Sequence, residues 1–237
     1  DQLVVADNIF LNGAQGTMEP DIYPMTNETT ITVRNNFFVN NRFPTSTRGR
    51  TYKGAQTKHM NFIHNSFILN WPYNPDPSSA NVGVINLYNK ECCQQLNIEG
   101  NLFAFNPGGA MQQDWVWDRM PKTRIHNNLF FSNAMLFGNG KKDAGVIVGK
   151  FGLNPKYLIA DLYMLEDEFD YDVSGNVSFD PKVPLTFPAL VAADSEDVQR
   201  QNTGLNDIRR IFGMNQSGGT VAIANYAPLV KWRLALP

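Results

Sequence analysis

Trp115 and Trp117 stand two residues apart, with Asp114, Asp118 and Arg119 around them. In an extended strand successive side chains alternate between faces, so both indoles would share a side with Arg119. Flat aromatic faces pack against the C–H faces of sugar rings, and polar neighbours can fix the hydroxyls. Tyr23, Tyr52, Asn86 and Tyr88 are of the right kinds to extend such a surface. Lys53 and Arg119 are candidate catalytic cations. Removing a proton beside a uronic carboxylate builds enolate charge, which a cation must neutralise while a base takes the proton. Arg50, Lys58 and His59 stand behind them as second choices. Hydrolysis asks instead for two carboxylates about 5–9 Å apart. Asp114 and Asp118 on one strand would lie about 13 Å apart, so either would need a partner from elsewhere. Alternation also turns both away from the indole face. Against all this stands a plainer possibility: indoles packed beneath loops and basic side chains that are simply solvated.

Something must line these residues up, and an internal repeat does so. An apolar residue, two variable residues, Asn, one variable residue and Phe recur in Val5–Phe10, Val33–Phe38, Phe62–Phe67, Ile98–Phe103 and Ile125–Phe130. A sixth copy, Val173–Ser178, has Ser178 at the Phe position and Phe179 one later. The key residues Asn8, Asn36, Asn65, Asn101, Asn128 and Asn176 are separated by 28, 29, 36, 27 and 48 positions. A β-solenoid coil takes roughly 20–30 residues and longer coils carry loop insertions. The last interval is one coil with a large insertion, or two coils of which one is degenerate. The residue before each key Asn is Asp7, Asn35, His64, Gly100, Asn127 or Gly175. These types accept positive φ at least cost, which predicts strand, left-handed bend, strand. A second Asn follows at 12, 40, 70, 106 and 133. Stacked Asn side chains can bond along such a ladder, while Phe, Leu, Ile and Val fill the interior. His64 and His126 fall in the bend region as surface or ladder residues rather than ligands.

Over residues 3–182 this pattern, carried by Asn-Asn-Phe-Phe at 35–38, Asn-Asn-Leu-Phe at 127–130 and their four relatives, resembles the right-handed parallel β-helix proteins of the pectin-lyase-like superfamily. The resemblance implies an all-β solenoid of about six or seven coils. It also implies an extracellular protein acting on polysaccharide as a lyase or a glycoside hydrolase. The Asn-x-Asp, Asp-Asp and Gly-His-Gly signatures of the polygalacturonase relatives are absent, which argues against that branch. A leucine-rich horseshoe would need a Leu-x-x-Leu-x-Leu spacing that is missing.

Each coil also needs a third strand upstream of the next motif. The candidates are 21–25, 51–56, 83–88, 114–119, and in the long interval 144–150 and 157–165. The outward residues of that third sheet form the row in which Tyr23, Tyr52 or Lys53, Asn86, Tyr88, Trp115, Trp117 and Arg119 would line a groove. Long insertions at 70–81, 138–144 and 165–172 are further places for function. The last holds Glu166, Asp167, Glu168, Asp170 and Asp172, the one spot where the composition suits Ca²⁺, although EF-hand spacing is missing. No metal site is assigned. Residues 1–186 are expected to form the coils. Residues 187–237, with short helices near 194–201 and 205–212, are expected to cap the last one. The chain starts inside a coil, so a longer parent or a partner chain is expected to cover that end.

The remaining features narrow the field. The 237-residue chain has a formal net charge of -2, which gives no basic footprint for nucleic acid and no polybasic membrane patch. No run approaches the roughly 20 apolar residues of a membrane span. The first residues do not resemble a signal peptide. Cys92 and Cys93 are adjacent, a poor geometry for a mutual disulfide, and no second Cys or His pair makes a metal cluster. Glycosylation-type triplets begin at Asn27, Asn176 and Asn215. Serine-hydrolase elbows, phosphate loops and dinucleotide fingerprints are missing. Two readings follow: a catalytic groove for an extended glycan, or a non-catalytic β-helix segment that binds carbohydrate, adheres or forms filaments.

Overall fold

A chain that repeats strand, bend and strand at a near-constant interval can bury its apolar face by stacking each repeat on the last. A computed structural model of the chain describes residues 2–11, 28–39, 41, 45–46, 57–70, 83–87, 93–106, 109–113, 122–131, 133, 144–148, 156–158 and 162–183. These residues form an all-β arrangement of parallel sheets with almost no helix, consistent with a β-solenoid. The first sheet stacks Gln2–Ala6, Thr30–Arg34, Thr57–Ile63, Cys93–Glu99, Lys122–His126 and Asp172–Ser174. The second stacks Ile9–Leu11, Phe37–Val39, Ser66–Ile68, Leu102–Ala104 and Leu129–Phe131. The third stacks Thr45–Ser46, Ile85–Leu87, Met111–Gln113 and Ala144–Val148, then adds Lys156–Leu158 antiparallel.

The bend between the first and second sheets matches the expectation from residue type. Asp7, Asn35, His64, Gly100, Asn127 and Gly175 all have positive φ, between 53° and 66°. A Cβ on Gly100 would collide with the His64 ring, and one on Gly175 with the Asn127 side chain, so glycine answers crowding as well as φ. A second bend was not anticipated. Leu69 and Phe105 also have positive φ, at 55° and 57°. Such a conformation costs about 1–2 kcal/mol for a residue with a Cβ, so the next residue must hold the chain there.

That next residue is again Asn. In the first ladder, the N–H and the Nδ2 of each Asn donate to Oδ1 of the Asn one repeat on. Asn65, for example, donates to Asn101 Oδ1 at 2.9 and 3.1 Å. The Nδ2 of Asn101 then reaches back to the Phe62 carbonyl at 2.8 Å. The same set links Asn36 to Asn65, Asn101 to Asn128, and Asn128 to Asn176. A second ladder runs Asn41, Asn70, Asn106, Asn133 with identical bonding. Asn41 therefore takes the place expected of Asn40, because the register fixes one offset between the ladders; Asn12 and Asn40 lie outside the described residues.

Inside, alternation holds in the first sheet: Ile31, Val33, Met60, Phe62, Leu96, Ile98 and Ile125 are buried, and their neighbours are not. Phe10, Phe38, Phe67, Phe103 and Phe130 stack with ring centroids 4.7–5.1 Å apart and planes within 9°. The spacing is that of neighbouring strands. Offset or edge-on pairs suit ring quadrupoles better, so backbone register rather than ring preference sets this stack. In the strands Phe37–Val39, Ser66–Ile68 and Leu102–Ala104 every residue is buried, so this part of the second sheet offers no open face.

Third-sheet strands upstream of Asn128 and Asn65 are Met111–Gln113 and Thr45–Ser46, each just before the expected 114–119 and 51–56, which lie outside the described residues. One expectation changes. The stretch 157–165 is not a continuing parallel strand: Lys156–Leu158 runs antiparallel, and Met164–Phe169 is a short α-helix. Leu162 and Leu165 are buried against the core while Glu166 and Asp167 are exposed, so the helix Met164–Phe169 packs one face on the core. Residues from 184 onward, including the proposed cap, lie outside the described set. Among the described residues no helix is long and apolar enough to cross a membrane.

Replacing Asn101 by Ala unpairs the Asn65 N–H, one Asn65 amide proton and the Phe62 carbonyl, all buried. At about 1–3 kcal/mol per orphaned group, the predicted loss in urea unfolding is at least about 3 kcal/mol. A loss no larger than that of Asn97→Ala, a half-exposed Asn on the outer face, would contradict the ladder's role.

Candidate functional site

Of the residues that sequence reasoning gathered into a groove, Tyr23, Tyr52, Lys53, Tyr88, Asp114, Trp115, Trp117, Asp118 and Arg119 lie outside the described residues. Asn86 is described as backbone, in the strand Ile85–Leu87. Its register partners are Ser46 and Gln112, and Gln112 pairs with Ile147. The row containing Asn86 therefore runs through Gln112, upstream of the two tryptophans. Leu87 pairs with Gln113, so the residues that precede Tyr88 and Asp114 are in register.

The open surface with side chains in view is the outer face of the first sheet. Its register creates three rows along the stack. One holds Thr30, His59, Gln95 and Lys122; the next Val4, Thr32, Asn61, Asn97, Arg124 and Asp172; the third Arg34, Ile63, Glu99, His126 and Ser174. The middle row is knitted across repeats. Asn61 Nδ2 donates to Thr32 Oγ1 at 3.1 Å, Asn97 Nδ2 to Asn61 Oδ1 at 2.6 Å, and Gln95 Nε2 to Asn97 Oδ1 at 2.9 Å. Asn35 Nδ2 donates to Asp7 Oδ1 at 2.6 Å on the adjoining bend.

At the far end of this face Arg124, His126 and Asp172 meet. His126 Nε2 lies 2.7 Å from Asp172 Oδ1, Arg124 Nε donates to Asp172 Oδ2 at 3.1 Å, and an Arg124 amine is 3.3 Å from His126 Nδ1. An arginine can only donate, so when the imidazole is neutral Nδ1 accepts from it and Nε2 carries the proton toward Asp172. The hydrogen bond from His126 is the main reason the Asp172 carboxyl sits below the usual carboxylate range. Partial desolvation opposes the shift, and the charges of His126 and Arg124 with the Arg124 hydrogen bond reinforce it. A histidine held by a carboxylate can serve as a general base, but here Arg124 occupies the nitrogen that would take the proton. The trio works as a clamp that ties the repeat after the long insertion to the one before it.

Sequence reasoning missed this trio. It placed His126 in the bend and counted Asp172 in the acidic loop. The signal was present: Arg124 and Asp172 sit at one offset from Asn128 and Asn176, and equal offsets in a stacked repeat mean adjacency. Across 165–172 the acidic run divides: Glu166 accepts from the Val173 N–H, Asp172 joins the clamp, and Asp170 has left-handed backbone at the helix end. Among the described residues no group of three or more His, Cys, Asp or Glu side chains converges on a point that could hold a metal. Cys93 is buried in the core. Asn176, the one glycosylation-type residue in view, is committed to the ladder through Ile125 O and Asn128.

No protein-family model matches the chain, and neither the curated proteins nor the solved structures include one similar to it.

The clamp makes a signed prediction. A carboxylate whose pKa is lowered on folding stabilises above its unfolded value of about 3.9 and loses that contribution as pH falls through the folded value. Asp172→Asn should therefore lower stability at neutral pH, and the gap to wild type should close on acidification in thermal melts. A gap of constant size from about pH 7 to about pH 2 would contradict the clamp.

Proposed function

We propose that the chain is an extracellular polysaccharide-active protein, a right-handed parallel β-helix of about six or seven coils akin to the pectin-lyase-like superfamily. A polysaccharide repeats one unit along its length, and a protein that recognises several units needs like side chains at a matching interval. The observation that supports this reading is the in-register stack: an outward residue type recurs along an axis at about 4.8 Å. The row Thr32, Asn61, Asn97 is made of side chains that both donate and accept hydrogen bonds. Hydroxyl-rich polymers are recognised by such groups.

Chemistry, in this proposal, belongs to the third-sheet groove, where Asn86 has its register neighbours. Tyr23, Tyr52, Tyr88, Trp115 and Trp117 supply sugar-stacking surface beside it. Lys53 and Arg119 neutralise the charge that develops when a proton leaves a carbon next to a uronic carboxylate. Hydrolysis would instead need a carboxylate pair about 5–9 Å apart, for which Asp114 and Asp118, each with a partner from elsewhere, are the candidates.

A panel of alginate, pectate and neutral glucans, each with and without Ca²⁺, tests the proposal. The expected result is new ultraviolet absorbance from unsaturated products, with a loss of at least about tenfold in Lys53→Ala and Arg119→Ala. Reducing ends without absorbance would mean hydrolysis and direct mutation to Asp114 and Asp118. Silence across the panel from folded, β-rich protein would overturn the catalytic reading, and binding to an immobilised glycan would then define a non-catalytic carbohydrate-binding protein.

A further inference from the structure

The side chains in the middle of the first sheet's outer face hold one another in place. Gln95 Nε2 donates to Asn97 Oδ1 at 2.9 Å, Asn97 Nδ2 to Asn61 Oδ1 at 2.6 Å, and Asn61 Nδ2 to Thr32 Oγ1 at 3.1 Å. The relay crosses three adjacent strands, and all four residues are half-buried. An amide nitrogen has two protons and an amide oxygen two lone pairs. Each amide of the relay therefore keeps one N–H and at least one lone pair beyond these bonds. The Thr32 hydroxyl accepts from Asn61 and keeps its own proton to donate. The bonds run one way, so they polarise one another along the chain. Side chains whose rotamers are already set lose little freedom when a ligand arrives. The interior ladder fixes the register without them.

Charge narrows the ligand. Next to the relay, on the same strands, stand Thr30 and His59. Formal charges sit at the margin, where Arg34 and Lys122 are opposed by Glu99, and Arg124 is paired with Asp172. An anionic polymer would meet Glu99 as readily as either cation, and no cation belongs to the relay. A neutral glycan meets its match: neighbouring hydroxyls offer a donor and an acceptor side by side, as a carboxamide does. The row also advances by one strand spacing per repeat, about 4.8 Å. A ring in an extended β-linked glycan advances by about the same step, whereas a coiled glycan would curve off a straight row.

We propose that this face is a second binding site, apart from the third-sheet groove, which holds a neutral extended β-linked glycan along the stack with one sugar ring per repeat from Thr32 to Asn97. Its occupant differs from the uronate polymer assigned to the groove. The face anchors the protein on a neutral polysaccharide, whether or not the groove is catalytic.

Depletion of the full chain from solution by insoluble cellulose and mannan, set against cross-linked pectate, tests the proposal. The neutral polymers should remove the protein as well at about 1 M salt as at low salt, because no ion pair is involved. Asn61→Ala and Asn97→Ala should each weaken that binding by about tenfold, the effect of two lost hydrogen bonds, with unchanged circular dichroism. Trp115→Ala should bind the neutral polymers as wild type does. In the wild-type chain, titration with soluble cellohexaose should shift the side-chain amide NMR signals of Asn61, Gln95 and Asn97 and leave those of the buried Asn36 and Asn65 in place. Failure of both neutral polymers to retain the protein would overturn the proposal, even if pectate were cleaved. So would retention that Trp115→Ala abolishes and Asn97→Ala does not, since the glycan would then lie in the groove. Retention by pectate alone, lost in salt, would overturn it in favour of an anionic ligand.

Discussion

A buried amide is costly unless all its hydrogen bonds are made, and that constraint governs this chain. Each interior Asn of the ladder makes bonds to the repeat behind and the repeat ahead, through backbone and side chain together. A register slip of one residue would leave those groups unpaired in the interior and would turn the apolar row outward. The ladder thus selects one stacking, and the sheets inherit their register from it. The phenylalanine stack follows, because five rings at one offset from five asparagines must lie over one another. So does the outer face, where Thr32, Asn61 and Asn97 fall into line by the same arithmetic.

The ladder also explains what would otherwise be strained. Leu69 and Phe105 hold left-handed backbone although neither residue favours it. Each directly precedes a ladder Asn, and the bonds of Asn70 and Asn106 to neighbouring repeats fix the chain on both sides. After the longest interval, where a helix is inserted, the ladder bond from Asn128 to Asn176 is supplemented by the clamp of Arg124 and His126 on Asp172. The insertion therefore does not disturb the stacking that follows it.

The repeat and the bend were legible because they are encoded locally: an Asn, an apolar residue at fixed distance, and a residue that accepts positive φ. Asn41 instead of Asn40 and the clamp were legible only through equal offsets from the ladder asparagines, and the third-sheet strand Met111–Gln113 was not legible, because it depends on register between distant segments. The helix Met164–Phe169 was hidden by its shortness; six residues carry too little periodicity, and its buried Leu165 alone does not announce a face. The proposed groove rests on Tyr23, Tyr52, Lys53, Tyr88, Trp115, Trp117 and Arg119, which lie outside the described residues and outside the repeat motif, so its chemistry is inferred from residue type. Of that site the structure describes Asn86 and its register neighbours, and the functional reading stands on the stacking that any outward row must share.

Hydrogen exchange of the side-chain amides, followed by NMR, tests the ladder most directly. If the asparagines carry the fold, the Nδ2 protons of Asn36, Asn65, Asn101 and Asn128 will exchange as slowly as core backbone amides, and far more slowly than those of half-exposed Asn61 and Asn97. Ladder protons that exchange as fast as those on the outer face would mean that the asparagines are passengers and that apolar stacking alone sets the register.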